Sequence, residues 1–307
     1  MGLAKGMVEG EELAVMEYQE ILMNVTLRAG KPEDAVRCGV ICYEAFKRIS
    51  EYHNFRRDFP TPDIAIGLLS ILLSRNDVYS VVAEVNGQIA GSNFLWESEV
   101  VAGIGPITVD PDVQNSAVGR QLMEDVLRHG EKRGFASIRL VQAAYHSRSL
   151  SLYTKLGFDT REPLSVMSGP ALNVRIPNYV VRPATEGDLD ACNALCFRVH
   201  GHRRSSDLLD GITQGTATVV EHDGRITGYA SGIHFLGHAV GESNEGLKAL
   251  IGAATEIPHP GFLLPIRNSE LFRWCLEKGL RVIQPMTLMS KGMYNEPHGA
   301  FLPSVVY

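Results

Sequence analysis

The apolar residues of this chain recur in two rhythms: a period of two, as in half-buried strands, and the three-to-four spacing of an amphipathic helix. A short strand is predicted over Val25–Ala29, followed by a helix opened by Pro32-Glu33-Asp34, where proline and acids suit the first turn. Val36, Val40 and Ile41 continue that helix at helical spacing, and a second apolar helix is predicted over 62–74. Strands over 78–84 and 88–96 are joined at Asn86-Gly87, a dipeptide that favours a tight hairpin. A third strand ends near Val109. A helix over 117–133, a strand over 137–143, a helix over 147–156 and a strand beyond Phe158 complete the unit. The pattern is α/β, a mixed α+β sheet with an antiparallel front and a βαβ back.

The unit is written twice. VTLRAGKPEDAVRC from Val25 is answered by YVVRPATEGDLDAC from Tyr179, aligning Arg28 with Arg182, Asp34 with Asp188, Cys38 with Cys192 and Cys42 with Cys196, all 154 positions apart. EVNGQIAG from Glu84 matches EHDGRITG from Glu221, and SLYTKLGF from Ser151 faces RWCLEKGL from Arg273, at offsets of 137 and 122. The matches keep their order while the offset shrinks, so the second copy is a shortened first. The expected division is an N-terminal extension over 1–22, a first domain over 23–167, a linker over 168–178 and a second domain over 179–307.

Composition narrows the class. With 45% hydrophobic and 21% charged residues, 307 residues can bury two ordinary cores. A net charge of −6 argues against nucleic acid or an anionic membrane as partner. No secretory pattern or run of 18 apolar residues occurs, and the five cysteines form no secreted framework, so a cytoplasmic protein is expected. Zinc held by the paired Cys38/Cys42 and Cys192/Cys196 is a weaker reading than inherited core positions, and no metal is expected. His200-Gly201-His202-Arg203-Arg204 is an equally weak hint of a metal or phosphate site.

The candidate chemistry lies in Ile107-Thr108-Val109-Asp110-Pro111-Asp112-Val113-Gln114-Asn115-Ser116-Ala117-Val118-Gly119-Arg120. A strand stops at a proline, a polar loop turns, and a helix begins with small residues. Its first-turn amides lack intrahelical partners and sit at the positive end of the helix dipole, so a pyrophosphate can approach, with Arg120 adding charge. An ordinary capped strand-to-helix turn is the plain alternative.

This string resembles the cofactor motif V-x-P-x-x-Q/R-x-x-G-x-G/A of the GCN5-related N-acetyltransferases, read as Val109, Pro111, Gln114, Ala117 and Gly119. Ala117 departs from it, standing where the family has its first glycine. A helical φ would accommodate alanine, and that conformation is expected here. Leu152-Tyr153-Thr154-Lys155-Leu156-Gly157-Phe158 resembles the family's L-Y-x-K-L-G-F helix end, with Gly157 as C-cap. The asparagine that usually opens this helix is missing, with His146 and Ser147 in its neighbourhood.

The resemblance implies two tandem acetyltransferase-like domains and direct transfer of acetyl from acetyl-CoA to an amine of a small molecule or peptide. Cofactor-binding residues would be Ile107, Thr108, Val109, Gln114, Asn115, Ser116, Ala117, Val118, Gly119, Arg120 and Ser149. Tyr153 would protonate the departing thiolate while a main-chain amide of the strand ending at Val109 polarises the acetyl oxygen. For the general base Glu97 and Glu99 are candidates, Glu99 the preferred one, with His53 and Asp58 as alternatives.

The second copy lacks the loop, and Cys275 holds the tyrosine slot, so a degenerate domain that supports the first copy or helps form its acceptor pocket is expected. The tail from Tyr294 to Phe301 is a further candidate cleft lining. A monomer or homodimer is expected. The competing functions are a non-catalytic acyl-CoA sensor and a protein N-terminal or lysine acetyltransferase.

Overall fold

The computed structural model describes residues 25–97, 100–113 and 117–307, so the N-terminal extension, Glu99, Gln114, Asn115 and Ser116 lie outside the described residues. In the first copy β1 (Val25–Ala29) leads to α1 (Ala35–Tyr52) and α2 (Pro62–Ser74). The hairpin β2 (Val78–Val85) and β3 (Gln88–Trp96) follows, then β4 (Val101–Ile104), β5 (Thr108–Val109), α3 (Val118–Arg133), β6 (Ser137–Ala143), α4 (Ser147–Lys155) and β7 (Asp159–Ser168). The third strand of the sequence reading is thus two short strands, interrupted at Gly105–Ile107.

The second copy repeats the order with β8 (Val180–Pro183), α5 (Leu189–His200), α6 (Ser205–Gln214), β9 (Thr218–His222), β10 (Arg225–Ala230) and β11 (Ala239–Gly241). It ends with α7 (Asn244–Ala253), β12 (Phe262–Pro265), α8 (Ser269–Glu277), β13 (Arg281–Gly292) and β14 (Ala300–Leu302). No helix among the described residues is long and apolar enough to cross a membrane.

The repeated residues make repeated bonds. Arg28 clasps Asp34 through both terminal nitrogens at 2.7 and 2.9 Å and reaches Glu84 at 2.7 Å. Arg182 does the same to Asp188 at 2.8 and 2.8 Å and to Glu221 at 2.9 Å. In each copy the bidentate pair ties the first strand to the turn that opens the first helix, holding the aspartate carboxyl below its ordinary range. Gly157 and Gly279 have φ of +90° and +91°, and Phe158 N and Leu280 N bond back to Tyr153 O and Cys275 O, each at 3.0 Å, so both Y/C-x-x-x-G helix ends close alike. The five cysteines are buried in apolar clusters, and no metal-ligating group occurs among the described residues.

In space the copies exchange strands. The larger sheet runs β1-β2-β3-β4-β6-β13-β7-β12 with β5 beside β3, and the smaller β14-β11-β10-β9-β8. β13 therefore separates β6 from β7, the consecutive strands of the first copy, while β12 pairs with β7. The registers obey a two-fold relation: Arg281 faces Ser168 as Ser290 faces Asp159, and Met289 faces Leu140 as Met167 faces Phe262. The sequence boundary near residue 178 is thus not a boundary of the sheet.

A chain ending at residue 178 should lose β13 and β12, exposing long unpaired edges on β6 and β7, and should aggregate. Co-expression with 179–307 should restore a soluble complex, read by size-exclusion chromatography. A monodisperse, cooperatively unfolding 25–178 fragment would show instead that β6 and β7 pair directly.

Candidate active site

The cleft opens where two parallel strands part. β4 and β6 pair from Val101↔Ser137 to Ile104↔Leu140. Beyond that, β5 follows β3, with Thr108 opposite Ser92, while β6 follows β13 as far as Ala143. Trp96 Nε1 donates to Gly105 O at 2.8 Å and Gly105 N to Phe94 O at 3.0 Å, fixing the break. The resulting cavity, about 650 Å³, has Ile107, Thr108 and Val109 on one arm and Leu140 to Ala143 on the other. This volume suits a ligand-sized group in a largely apolar site.

At one end stands the start of α3, with Ala117, Val118, Gly119 and Arg120 in the lining. Gln121 N donates to Ala117 O at 3.0 Å, so the amides of Val118 to Arg120 precede the hydrogen-bonded helix. Ala117 forms no side-chain cap and has φ +61°, ψ 0°. The helical conformation expected for it is therefore corrected: it is left-handed. This conformation costs a non-glycine residue roughly 1–2 kcal/mol, and turns the chain so that the helix start faces the cleft. Arg120 lines the same end, its Nε on Glu124 at 2.7 Å. In the second copy the corresponding helix, α7, is self-capped, Ser243 Oγ accepting from Gly246 N at 3.3 Å. There the strand beside β11 is β14, so no parallel pair splays.

At the other side α4 presents His146, Ser149 and Tyr153 to the cleft. Ser149 Oγ lies 2.7 Å from His146 Nδ1. Burial pushes the Tyr153 phenol up to about 12, with Ser149 opposing, and pushes the His146 imidazole down. Tyr153 is therefore a protonated phenol at neutral pH.

Both arms carry an unsatisfied polar group. Thr108 Oγ1 and both amide atoms of Gln142 find no partner among the described residues, although these residues are only 4% and 6% exposed. A buried amide without partners costs about 1–3 kcal/mol. A linear ligand with amides of its own, as in a pantetheine arm, would satisfy them. Gln142 was not singled out from the sequence; its one signal is a polar residue inside the apolar strand Ser-Ile-Arg-Leu-Val-Gln-Ala.

The candidate carboxylates separate. Glu97 is tied to His129 at 2.5 Å and Arg133 at 2.9 Å and is absent from the lining. His53 packs on the Tyr145 ring at 5.1 Å, also outside the lining. Asp58 does line the cavity; its Oδ1 accepts from Gln284 Nε2 at 3.0 Å, and its Oδ2 lies 3.0 Å from Ser50 Oγ. Burial raises its carboxyl, with the Gln284 and Ser50 contacts opposing.

Residues 42–158, which lie within the first copy, match the acetyltransferase (GNAT) family model. An uncharacterized N-acetyltransferase of Methanocaldococcus jannaschii is 24% identical over 156 residues, 48% of this chain and 67% of that protein. The [ribosomal protein bS18]-alanine N-acetyltransferase of Escherichia coli is 42% identical over 74 residues, 24% of this chain and half of that enzyme. Two solved structures share the fold over nearly the whole length. A Pyrococcus horikoshii protein classed as an acetyltransferase has TM-score 0.68 and 16% identity, covering 90% of this chain and 94% of its own. A GCN5-related N-acetyltransferase of Sphaerobacter thermophilus has TM-score 0.57 and 15% identity, covering 89% and 96%. This likeness of fold runs through both copies.

Two substitutions probe the cleft. Ala117→Gly should leave thermal stability unchanged or raise it by up to about 1 kcal/mol, against a loss of about 1 kcal/mol for glycine inside a helix. Gln142→Leu should raise the stability of the ligand-free protein by about 1 kcal/mol. It should also weaken acetyl-CoA about tenfold by calorimetry, as one or two hydrogen bonds are lost.

Proposed function

We propose that the protein transfers acetyl from acetyl-CoA directly to the nitrogen of a small-molecule amine, with no acyl-enzyme. The observation that carries this is the convergence on one cleft of the uncapped α3 start, the parted strands and the buried Tyr153 phenol.

The amides of Val118 to Arg120 and the Arg120 guanidinium hold the pyrophosphate. The pantetheine arm lies between β5 and β6, its amides meeting Thr108 and Gln142. The thioester carbonyl is polarised by a main-chain amide near Ile107–Val109. The neutral amine attacks the acetyl carbon, the C–S bond breaks, and the sulfur takes the Tyr153 proton. The amine nitrogen gives up its proton to Asp58 or through water, and Ser149 with His146 returns a proton to the phenol. Only the first copy binds cofactor, because α7 caps its own amides and β14 covers the edge of β11.

Tyr153→Phe should lower kcat about 10²- to 10⁴-fold while leaving the acetyl-CoA Kd unchanged. A proton donor works below its own pKa, so with the phenol at about 12 the wild-type kcat should not fall between pH 7 and 10 through this group. Steady-state rates from a thiol-release assay, with one acetyl-CoA bound per chain, check both points. Unchanged turnover in the phenylalanine variant rejects the role of Tyr153.

A further inference from the structure

Both copies line the cavity. The first copy supplies Phe46, Ile49, Phe59 and Trp96, and the second supplies Phe235, Leu236, Val305 and Val306. The second-copy wall is fixed rather than loosely apposed. Val305 N donates to Phe235 O at 2.9 Å, and Ser304 Oγ donates to Leu236 O at 2.8 Å. Val306 O lies so close over Gly103 that a Cβ there would stand 1.8 Å away. The buried Arg139 guanidinium sits 4.0 Å from the Tyr307 ring centroid, pinning the same segment.

Within this apolar lining Asp58 is a carboxylate held by side chains from both copies. Gln284 of β13 donates to it at 3.0 Å, and Gln284 Oε1 in turn accepts from Tyr145 OH at 3.2 Å. These bonds fix the direction of the carboxylate, yet supply it no countercharge. His259 of the same lining acts on the half-buried Asp58 through its charge but makes no hydrogen bond to it, and a ligand ammonium against the carboxylate offsets the rest of its desolvation. The surrounding aromatic and aliphatic walls reward an apolar body and leave a second charge or a string of hydroxyls unpaired.

Resting on the acetyl-transfer reading above, we propose that the acceptor is a compact monoamine with an apolar body, its ammonium at Asp58 and its hydrocarbon part enclosed by Phe235, Leu236 and Val305 of the second copy. The cavity of about 650 Å³ also has to hold the pantetheine arm, which restricts the acceptor to small-molecule size. The second copy is thereby the specificity element of the enzyme.

The test uses the full chain with acetyl-CoA and a set of amines: phenethylamine, isoamylamine and tryptamine against spermidine, kanamycin and a peptide with N-terminal alanine. The apolar monoamines should show kcat/KM at least about tenfold above the others, in line with hydrophobic-pocket discrimination. Leu236→Ala, at a side chain 42% exposed and therefore safe for folding, should raise KM for phenethylamine about tenfold with the acetyl-CoA Kd unchanged. Asp58→Asn should lower kcat/KM for phenethylamine more than for acetyl-CoA binding alone. Preference for the peptide or the polycations, or an unaltered phenethylamine KM in Leu236→Ala, overturns the proposal. Calorimetry separates the two layers: phenethylamine binding without acetyl transfer sinks the transfer reading but keeps the monoamine site, whereas transfer to peptide alone does the reverse.

Discussion

The insertion of β13 between β6 and β7 is the constraint on which the rest of this molecule depends. A strand buried between two neighbours has its backbone groups satisfied on both edges, and removing it would leave two rows of donors and acceptors unpaired. Because β13 comes from the second copy, the first copy cannot complete its own sheet. The same strand carries Gln284 to Asp58 and places Met286 in the cleft. One set of backbone bonds thus sets both the stability of the sheet and the shape of the cleft.

The exchange is self-complementary, and this explains what the second copy has kept. Its β12 and β13 repeat the pairings that β6 and β7 make, in the same relative register, and its Arg182–Asp188–Glu221 clasp repeats Arg28–Asp34–Glu84. These features hold strands in place and serve either copy. Two of the differences bear on ligand chemistry: Ser243 closes the helix start that Ala117 leaves open, and the buried Cys275 replaces Tyr153 in the core. A copy needed for sheet closure and cleft walls is held to its strands, and not to its cofactor loop.

The sequence made much of this legible, for physical reasons that can be located. Strand and helix periods gave most elements within a residue or two, because each has one face buried and one exposed. The Asn86-Gly87 turn and the Gly157 cap are local backbone requirements, readable wherever they occur. The aligned arginines and aspartates revealed the repeat. The strand exchange was hidden, since β13 has the same alternation whether it pairs with β12 or with β6 and β7; partner choice is long-range. Asp58 was one of several carboxylates until the fold tied Glu97 to His129 and Arg133 and left Asp58 facing the cavity.

Ala117 shows where local rules mislead. By helix propensity alanine fits a helix start well, and the sequence reading placed it there in helical conformation. The chain instead holds it at φ +61°, a conformation that local preference opposes. Thr108 and Gln142, on the two arms of the same cleft, violate a different rule by remaining buried and unpaired. Each departure costs on the order of 1 kcal/mol or more, and none benefits the ligand-free fold. Such costs persist where the surrounding structure over-determines the conformation and a bound molecule recovers the loss. Here the over-determination comes from β3 and β13, which hold β5 and β6 apart whether or not anything lies between them.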